Sequence, residues 1–325
     1  MKRLVHPLAC ACVLGCLAAT NLAATNFETS NFETSNFAPS CSNATPSAAQ
    51  DGAAPAKPAS EAPAATKLTA WPKPADKEAL LVEIEKLCKA STEEMERTAR
   101  ESLAAAGASA VPFLLDRYGK ERADGARDRL LDVATSSTDA SMTRLLAARF
   151  EDKNQPVRAF ALWRAAAFPD PELKAPAERA WAKVQKLGEK ADANERYAAA
   201  LCCASAGSTA GFEALLEAAG AKWDKKKREL RAALEGARAK EASTWALARV
   251  KPDDRKATVA ALRLLAGCGV KEDAGAIKGL LDNEDNSIRV AAINALRGMV
   301  DGEGPLEDIS AFEAIETARK WKGRI

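Results

Sequence analysis

One register of residues recurs along the chain and limits what it can fold into: an arginine, then a small residue, then an apolar one, at three-residue steps. In its clearest copy, Arg289 is followed by Ala292 and by the pair Ala295 and Leu296. Steps of three and four place such residues on one face of a helix. Successive arginines lie 31, 38, 59 and 34 positions apart, at Arg127, Arg158, Arg196, Arg255 and Arg289. Helical self-similarity at a period of roughly 30–45 residues predicts stacked helix pairs, with two periods in the longest interval.

The composition favours the same answer. Hydrophobic residues make up 47% of the 325 residues, but aromatic residues only 5%, and alanine is abundant. Alanine has the highest helix propensity, and its small side chain lets helices approach closely. No segment from residue 76 onward alternates apolar and polar residues as a strand does. We therefore predict an all-α domain over residues 76–325.

The last segment of that domain reads as an amphipathic helix over residues 308–322. Phe312, Ile315 and Trp321 are predicted to pack, while Glu313 and Arg319 stay in solvent. A final helix with one polar face is what a terminal cap of a repeat domain requires.

Two units also carry a family resemblance. Residues 150–161 (FEDKNQPVRAFA) and 281–292 (LDNEDNSIRVAA) resemble HEAT repeats, in particular the short bacterial type found in bilin lyases. The resemblance covers roughly residues 79–300 and implies a right-handed α-solenoid of antiparallel helix pairs. In that family a turn aspartate and the arginine that follows form a ladder between units. The matching residues here are Asp152 with Arg158 and Asp282 with Arg289.

The N-terminal residues predict export. Lys2 and Arg3 precede an apolar stretch over residues 8–19, which is too short to span a bilayer and suits a signal over residues 1–24. Residues 13–16 (VLGC) resemble a bacterial lipobox, in which Cys16 would be acylated. Cleavage after Ala19 or Ala24 is the alternative and would release a soluble protein. The expected location is thus the periplasm or, through a lipid anchor, the membrane, with secretion as the alternative.

Residues 25–75 are predicted to be a disordered linker. A five-residue repeat, NFETS, occurs at residues 26–30 and 31–35, and the remainder is rich in alanine, proline and serine. Such a composition buries too little apolar surface to offset the entropy of ordering.

The chain lacks the patterns of common catalytic sites. Its one histidine, His6, lies in the predicted signal, so the mature chain would lack the commonest general base and metal ligand. No phosphate-binding glycine loop, nucleophile elbow or zinc-ligand spacing is present. Four cysteines of the repeat domain are predicted to be small core residues: Cys88, Cys202, Cys203 and Cys268. We expect no enzyme activity, no metal and no cofactor.

Net charge argues against nucleic acid as a partner. Removing Lys2 and Arg3 from the 47 basic residues leaves 45, against 45 acidic residues. One basic segment remains, interrupted by Asp224 and Glu229; its basic residues are Lys222, Lys225, Lys226, Lys227, Arg228 and Arg231. It is either a solvated helix start or a binding site for an anionic polymer or lipid.

The expected function is that of a non-catalytic scaffold of the bacterial cell envelope, a monomeric solenoid that binds another protein. In HEAT-like solenoids the second helix of each pair lines the concave side, so Asn294 and Arg297 are candidate contact residues. Two alternatives stay open: an enzyme or enzyme accessory of the bilin-lyase type, and anionic polymer or lipid binding through the basic segment.

Overall fold

The computed structural model describes residues 66–251 and 253–325, and these residues form α-helices with short 3₁₀ and π segments and no strand. The prediction of an all-α domain is confirmed. The helices, in chain order, are α1 (Lys77–Lys89), α2 (Glu93–Ala106), α3 (Val111–Tyr118), α4 (Asp124–Ser136), α5 (Thr143–Ala147), α6 (Gln155–Ala166), α7 (Lys174–Leu187), α8 (Ala193–Ser205), α9 (Phe212–Ala221), α10 (Trp223–Gly236), α11 (Lys240–Leu247), α12 (Arg255–Cys268), α13 (Asn286–Leu296) and α14 (Ala311–Lys322).

Side-chain caps explain where many of these helices begin. Asp76 accepts a hydrogen bond from the backbone of Ala79 at the start of α1, and Asp254 caps α12 in the same way. At α14, Ser310 and Glu313 form a reciprocal capping box. Such caps satisfy backbone N–H groups that have no partner within the helix. Residues 271–282, by contrast, form a 3₁₀ segment where the sequence favours the end of an α-helix.

Five helices form a row in which each contacts the next: α6, α8, α10, α12 and α13. The intervening helix α9 contacts α8, α10 and α12, and α7 contacts α8. Helix α8 is buried almost all round, because its alanines and its two cysteines face neighbours on both sides. The large apolar side chains at the centre of the domain, such as Phe160, Leu201 and Phe212, are fully buried.

Glycines at the C-terminal ends of the row helices bring neighbouring backbones into contact. A Cβ atom added to Gly236 would lie 2.2 Å from the backbone oxygen of Ser205, and one added to Gly298 would lie 2.0 Å from that of Ala266. Real Cβ atoms do not approach so closely. Only glycine therefore permits these contacts between α10 and α8, and between the end of α13 and α12.

The terminal helix α14 packs differently from the prediction. Trp321 is buried as predicted, but Phe312 is 71% exposed and Ile315 is 39% exposed, so the prediction was wrong for these two residues. Helix α14 contacts α13 and the 3₁₀ segment through Ala314, Ala318 and Trp321. That stripe, at steps of four and three, leaves Phe312 on the outer flank.

The first described residues contact the helical domain, although they belong to the stretch predicted as a linker. The backbone N–H of Leu68 donates to the oxygen of Ser141 over 2.8 Å. The Lys67 ammonium lies 2.7 Å from the buried carboxylate of Asp170. The predicted signal, with Cys16, and residues 25–65 lie outside the described residues.

The four cysteines of the domain, Cys88, Cys202, Cys203 and Cys268, are free thiols and buried, which confirms the core prediction. Burial raises the pKa of Cys203 and of Cys268 from the ordinary value of 9.0 to about 12. It also raises the pKa of Cys202 well above that value. The physical cause is the cost of placing a thiolate in an apolar surrounding.

These thiols predict a loss of stability in alkali. Because their pKa values are higher in the folded chain than in the unfolded chain, their contribution is complete below pH 9 and is lost as the pH rises towards 12. The free energy of unfolding should fall by up to about 1.4 kcal/mol per pH unit for each thiol. Urea unfolding of the wild type and of a Cys203→Ala/Cys268→Ala variant between pH 8 and 11 checks this. Equal slopes for the two proteins would contradict it.

The contact at Gly298 predicts a second stability effect. Gly298→Ala should lower the free energy of unfolding by about 1–3 kcal/mol, because the new methyl group forces α12 and the end of α13 apart. Gly279→Ala is the matched control, since a Cβ there meets nothing within 4 Å. Thermal and urea unfolding of both variants measures the difference. Equal stabilities would show that the close contact does not constrain the fold.

Candidate functional site

The predicted basic segment forms the first turns of α10, which starts at Trp223 and places its basic residues on different sides of the helix. Lys222, Lys225 and Arg228 are exposed. Lys226 faces α8, where its ammonium lies 4.7 Å from the ring centre of Tyr197. Lys227, Arg228 and Arg231 instead line a groove. The segment is therefore divided between a structural role and an open surface.

This groove has a volume of about 640 Å³ and lies between α10, α12, α13 and the connection from α13 to α14. Val259, Val290, Ala291 and Leu306 supply apolar surface. Its charged lining residues are Lys227, Arg228, Arg231 and Arg263, and Asp224, Glu307 and Asp308. A concave surface that combines apolar side chains with convergent charged groups has the composition of a binding site.

Arg263 is a partly buried cation in the groove wall. Its guanidinium donates from Nη1 to the backbone oxygen of Ala219 over 2.6 Å and lies 4.8 Å from the ring centre of Trp223. Burial lowers the pKa of Arg263 below its ordinary value, and Asp224 partly opposes this effect. Among the described residues no carboxylate lies within ion-pair distance of Arg263. The charge is thus partly desolvated without a paired anion.

One wall of the groove is built by residues 302–308, which we call the strap. The strap begins where α13 ends: the π turn Arg297–Asp301 is followed by Gly302, whose positive φ of 67° reverses the chain. Asn294 then holds Leu306 by two hydrogen bonds, accepting from its N–H over 2.7 Å and donating to its oxygen over 3.3 Å. Arg297 donates to the oxygen of Gly304 over 2.9 Å.

Ion pairs hold two of the three acidic side chains of the strap. Lys227 lies 2.5 Å from Glu307, and Arg297 lies 2.8 Å from Glu303. Asn294 and Arg297, the residues that the sequence proposes as contacts for a partner, therefore bind the chain's own strap.

The structure places the proposed ladder residues in two other arrangements. Arg158 donates to the backbone oxygen of Asp152, not to its carboxylate, and pairs with the buried carboxylate of Glu195 over 2.6 Å. The Asp152 carboxylate instead accepts from the backbone of Asn154 and from Arg149. Because the Asp152 carboxylate already accepts from a helix start and from Arg149, its hydrogen-bonding capacity is used without Arg158.

In the other proposed pair, Arg289 donates to the side-chain oxygen of Asn286 and to the backbone of Asn283. Asp282 pairs with Lys322 of α14. The contact between neighbouring units is made by Arg255, which lies 2.9 Å from Asp285 at the start of α13. Arginine–carboxylate contacts thus do join consecutive row helices, but through Glu195 and Asp285.

A buried carboxylate missed by the sequence reasoning joins three row helices. Glu229 of α10 is completely buried and accepts hydrogen bonds from the Trp163 indole at 3.2 Å and the Tyr197 hydroxyl at 3.1 Å. Lys226 lies 3.3 Å from it. Burial, and then the charge of Glu229, raises the pKa of Tyr197 well above its ordinary value.

One sequence signal was available for this cluster. Lys226 is the fourth residue of α10, the position held by Arg158 in α6, Arg196 in α8 and Arg289 in α13. The 59-residue interval between Arg196 and Arg255 therefore contains a helix whose fourth residue is also basic, although Glu229 stands where the register has a small residue. No sequence pattern identifies Trp163 and Tyr197 as its partners, because an aromatic residue on an apolar helical face is predicted to be an ordinary core residue.

Comparison with known proteins adds no relative. No family model matches the chain, and searches of curated proteins and of solved structures found no similar protein. Within residues 66–251 and 253–325 there is no cluster of three or more histidine, cysteine or acidic residues suited to a metal ion. None of the helices in this part of the chain combines the length and the apolar character needed to cross a membrane.

The Glu229 cluster predicts a large stability effect. Glu229→Ala should lower the free energy of unfolding by about 2–4 kcal/mol, because it leaves the Trp163 and Tyr197 donors and the Lys226 charge without their acceptor. Glu235→Ala, at an exposed position of the same helix, should change it by less than about 0.5 kcal/mol. Urea unfolding at pH 7 compares the two variants. Similar values would show that the buried carboxylate contributes little.

Proposed function

We propose that this chain is a HEAT-like helical solenoid that serves as a non-catalytic, protein-binding scaffold of the bacterial cell envelope. Three observations support the architecture: the helical period of the sequence, the row in which α6, α8, α10, α12 and α13 contact one another in order, and the basic fourth residue shared by α6, α8, α10 and α13. The envelope location, with a lipid anchor at Cys16, rests on the sequence of residues 1–24.

The groove between α10, α12 and α13 is the observation that carries the binding role. It joins successive row helices, and repeat proteins use such continuous surfaces to hold extended partners. Its apolar floor at Val259 and Val290 offers burial, while Arg228 and Arg263 offer charge-assisted hydrogen bonds. A surface of this mixed kind suits a protein segment better than a purely electrostatic ligand.

Anionic polymer or lipid binding is the second candidate, favoured by the exposed Lys222, Lys225 and Arg228. The structure weakens the basic field of this segment, because Lys226 is paired with Glu229 and Lys227 with Glu307. Protein binding therefore has the stronger support.

Site-specific photo-crosslinking tests this proposal. The full chain, expressed in a bacterial envelope, carries a photoreactive residue in place of Arg228 or Val290 in the groove, or in place of Glu101 or Lys186 as matched exposed controls. We expect protein adducts from the two groove positions and none from the controls. Mass spectrometry of the adducts identifies their chemistry. Lipid or polymer adducts at Arg228, or equal protein adducts from control positions, would refute the proposal.

A further inference from the structure

The strap is held partly through its backbone groups. Asn294 binds both the N–H and the oxygen of Leu306, Arg297 binds the oxygen of Gly304, and Arg231 lies 3.4 Å from the oxygen of Gly302. These side chains, from α10, α13 and the π turn, therefore bind backbone groups of residues 302, 304 and 306. A peptide laid along the same line would present backbone groups to the same side chains.

Charge adds selectivity to this surface. Four basic side chains line the groove, Lys227, Arg228, Arg231 and Arg263, while the strap, residues 302–308, carries three acidic side chains and no basic one. Two contacts show how the charges meet, since Lys227 pairs with Glu307 and Arg297 with Glu303. The surface is thus complementary in charge to an acidic peptide, and the strap that occupies part of it is itself acidic.

The strap is a lightly packed occupant. Its apolar side chains are Pro305 and Leu306, both half-buried, and Glu303, Glu307 and Asp308 are exposed. Asp308 has a φ of 54°, a left-handed conformation that aspartate adopts more readily than most residues with a side chain. Gly302 and Gly304 give the segment conformational freedom. Exposed side chains and few buried contacts are the features of a segment that opens locally.

The open part of the groove lies directly beside the strap. A peptide can therefore contact Arg228, Arg263 and the apolar floor at Val290 while the strap is still in place. Arg263 is the partly buried cation that a carboxylate would pair with there. Continuation of the same peptide along α13 would then require the strap to leave.

We infer that the strap, residues 302–308, is a built-in competitor for an extended acidic segment of a partner protein, which binds the groove by displacing it. This inference rests on the proposed function, because it names the class of partner that the same groove receives. The strap remains tethered at both ends, so its local concentration is high and only a well-matched peptide displaces it.

Fluorescence anisotropy with a labelled peptide of the strap's own sequence, DGEGPLEDIS (residues 301–310), tests this inference. The full chain is compared with a variant in which residues 302–308 are replaced by seven glycine and serine residues. We expect the variant to bind the peptide at least tenfold more tightly than the wild type, with an affinity that falls as salt rises. Adding Lys227→Glu and Arg297→Glu to the variant should abolish the gain.

Two controls keep the result specific. A peptide with asparagine and glutamine in place of its acidic residues should not bind, and circular dichroism with thermal unfolding verifies that the variant keeps its helices. A milder variant, Glu303→Gln/Glu307→Gln, retains the loop and should show a smaller gain. Equal affinities for the wild type and both variants, or equal binding of the neutral peptide, would overturn the inference.

Anionic lipid is a separate outcome of the same experiment. If the strap-replaced chain binds phosphatidylglycerol vesicles but not the acidic peptide, the groove serves a membrane and the inference falls. If the acidic peptide does not bind but protein crosslinks still form at the groove positions, the proposed scaffold function stands and the partner binds beside the strap. Failure of the crosslinks with tight peptide binding would instead remove the envelope scaffold role while the strap's competition stands.

Discussion

Close contact between backbones at the ends of the row helices is the constraint on which the rest of the structure depends. Gly236, Gly267 and Gly298 stand 31 residues apart, and each lies within two residues of the C-terminal end of a row helix. Added Cβ atoms at Gly236 and Gly298 would meet the backbones of Ser205 and Ala266 in the preceding helix, and one at Gly267 would meet the side chain of Leu234. These contacts fix the C-terminal ends of α10, α12 and α13 against the helices that precede them. The groove runs along the same helices, from Trp223 at the start of α10 to Ala266 near the end of α12.

Polar groups between the row helices fix the relative positions of helices that the glycines allow to approach closely. Arg158 with Glu195, and Arg255 with Asp285, each join one row helix to the start of the next. Glu229 does more, because its two oxygens accept from Trp163 of α6 and Tyr197 of α8. Apolar contacts between alanine-rich helices are tolerant of sliding, whereas a buried carboxylate with fixed donors has one satisfactory position. These groups set the register of helices that the small residues allow to approach.

The helical class and the period could be predicted from sequence because they depend on local spacing, as at Arg289, Ala292 and Leu296. The burial of Cys202 and Cys203 followed from the same reasoning. The partners of the arginines could not be predicted, since Arg158 lies 37 residues from Glu195 and the choice between that carboxylate and Asp152 depends on how two helices pack. The prediction that Phe312 is buried was wrong for a related reason. Helix α14 turns its alanine and tryptophan stripe to α13, and the sequence alone does not fix that rotation.

The basic segment shows why charge runs are difficult to interpret without a structure. Its six cations look alike in the sequence, yet Lys226 belongs to a buried cluster, Lys227 and Arg231 hold the strap, and Arg228 remains exposed at the groove. The contact between Lys227 and Glu307 spans 80 residues, beyond the reach of any local pattern. Because Glu229 and Glu307 pair with two of these cations, the exposed field is weaker than the composition of the segment indicates. Selectivity then comes from geometry, since a ligand must supply both carboxylates and an extended backbone to take the strap's place.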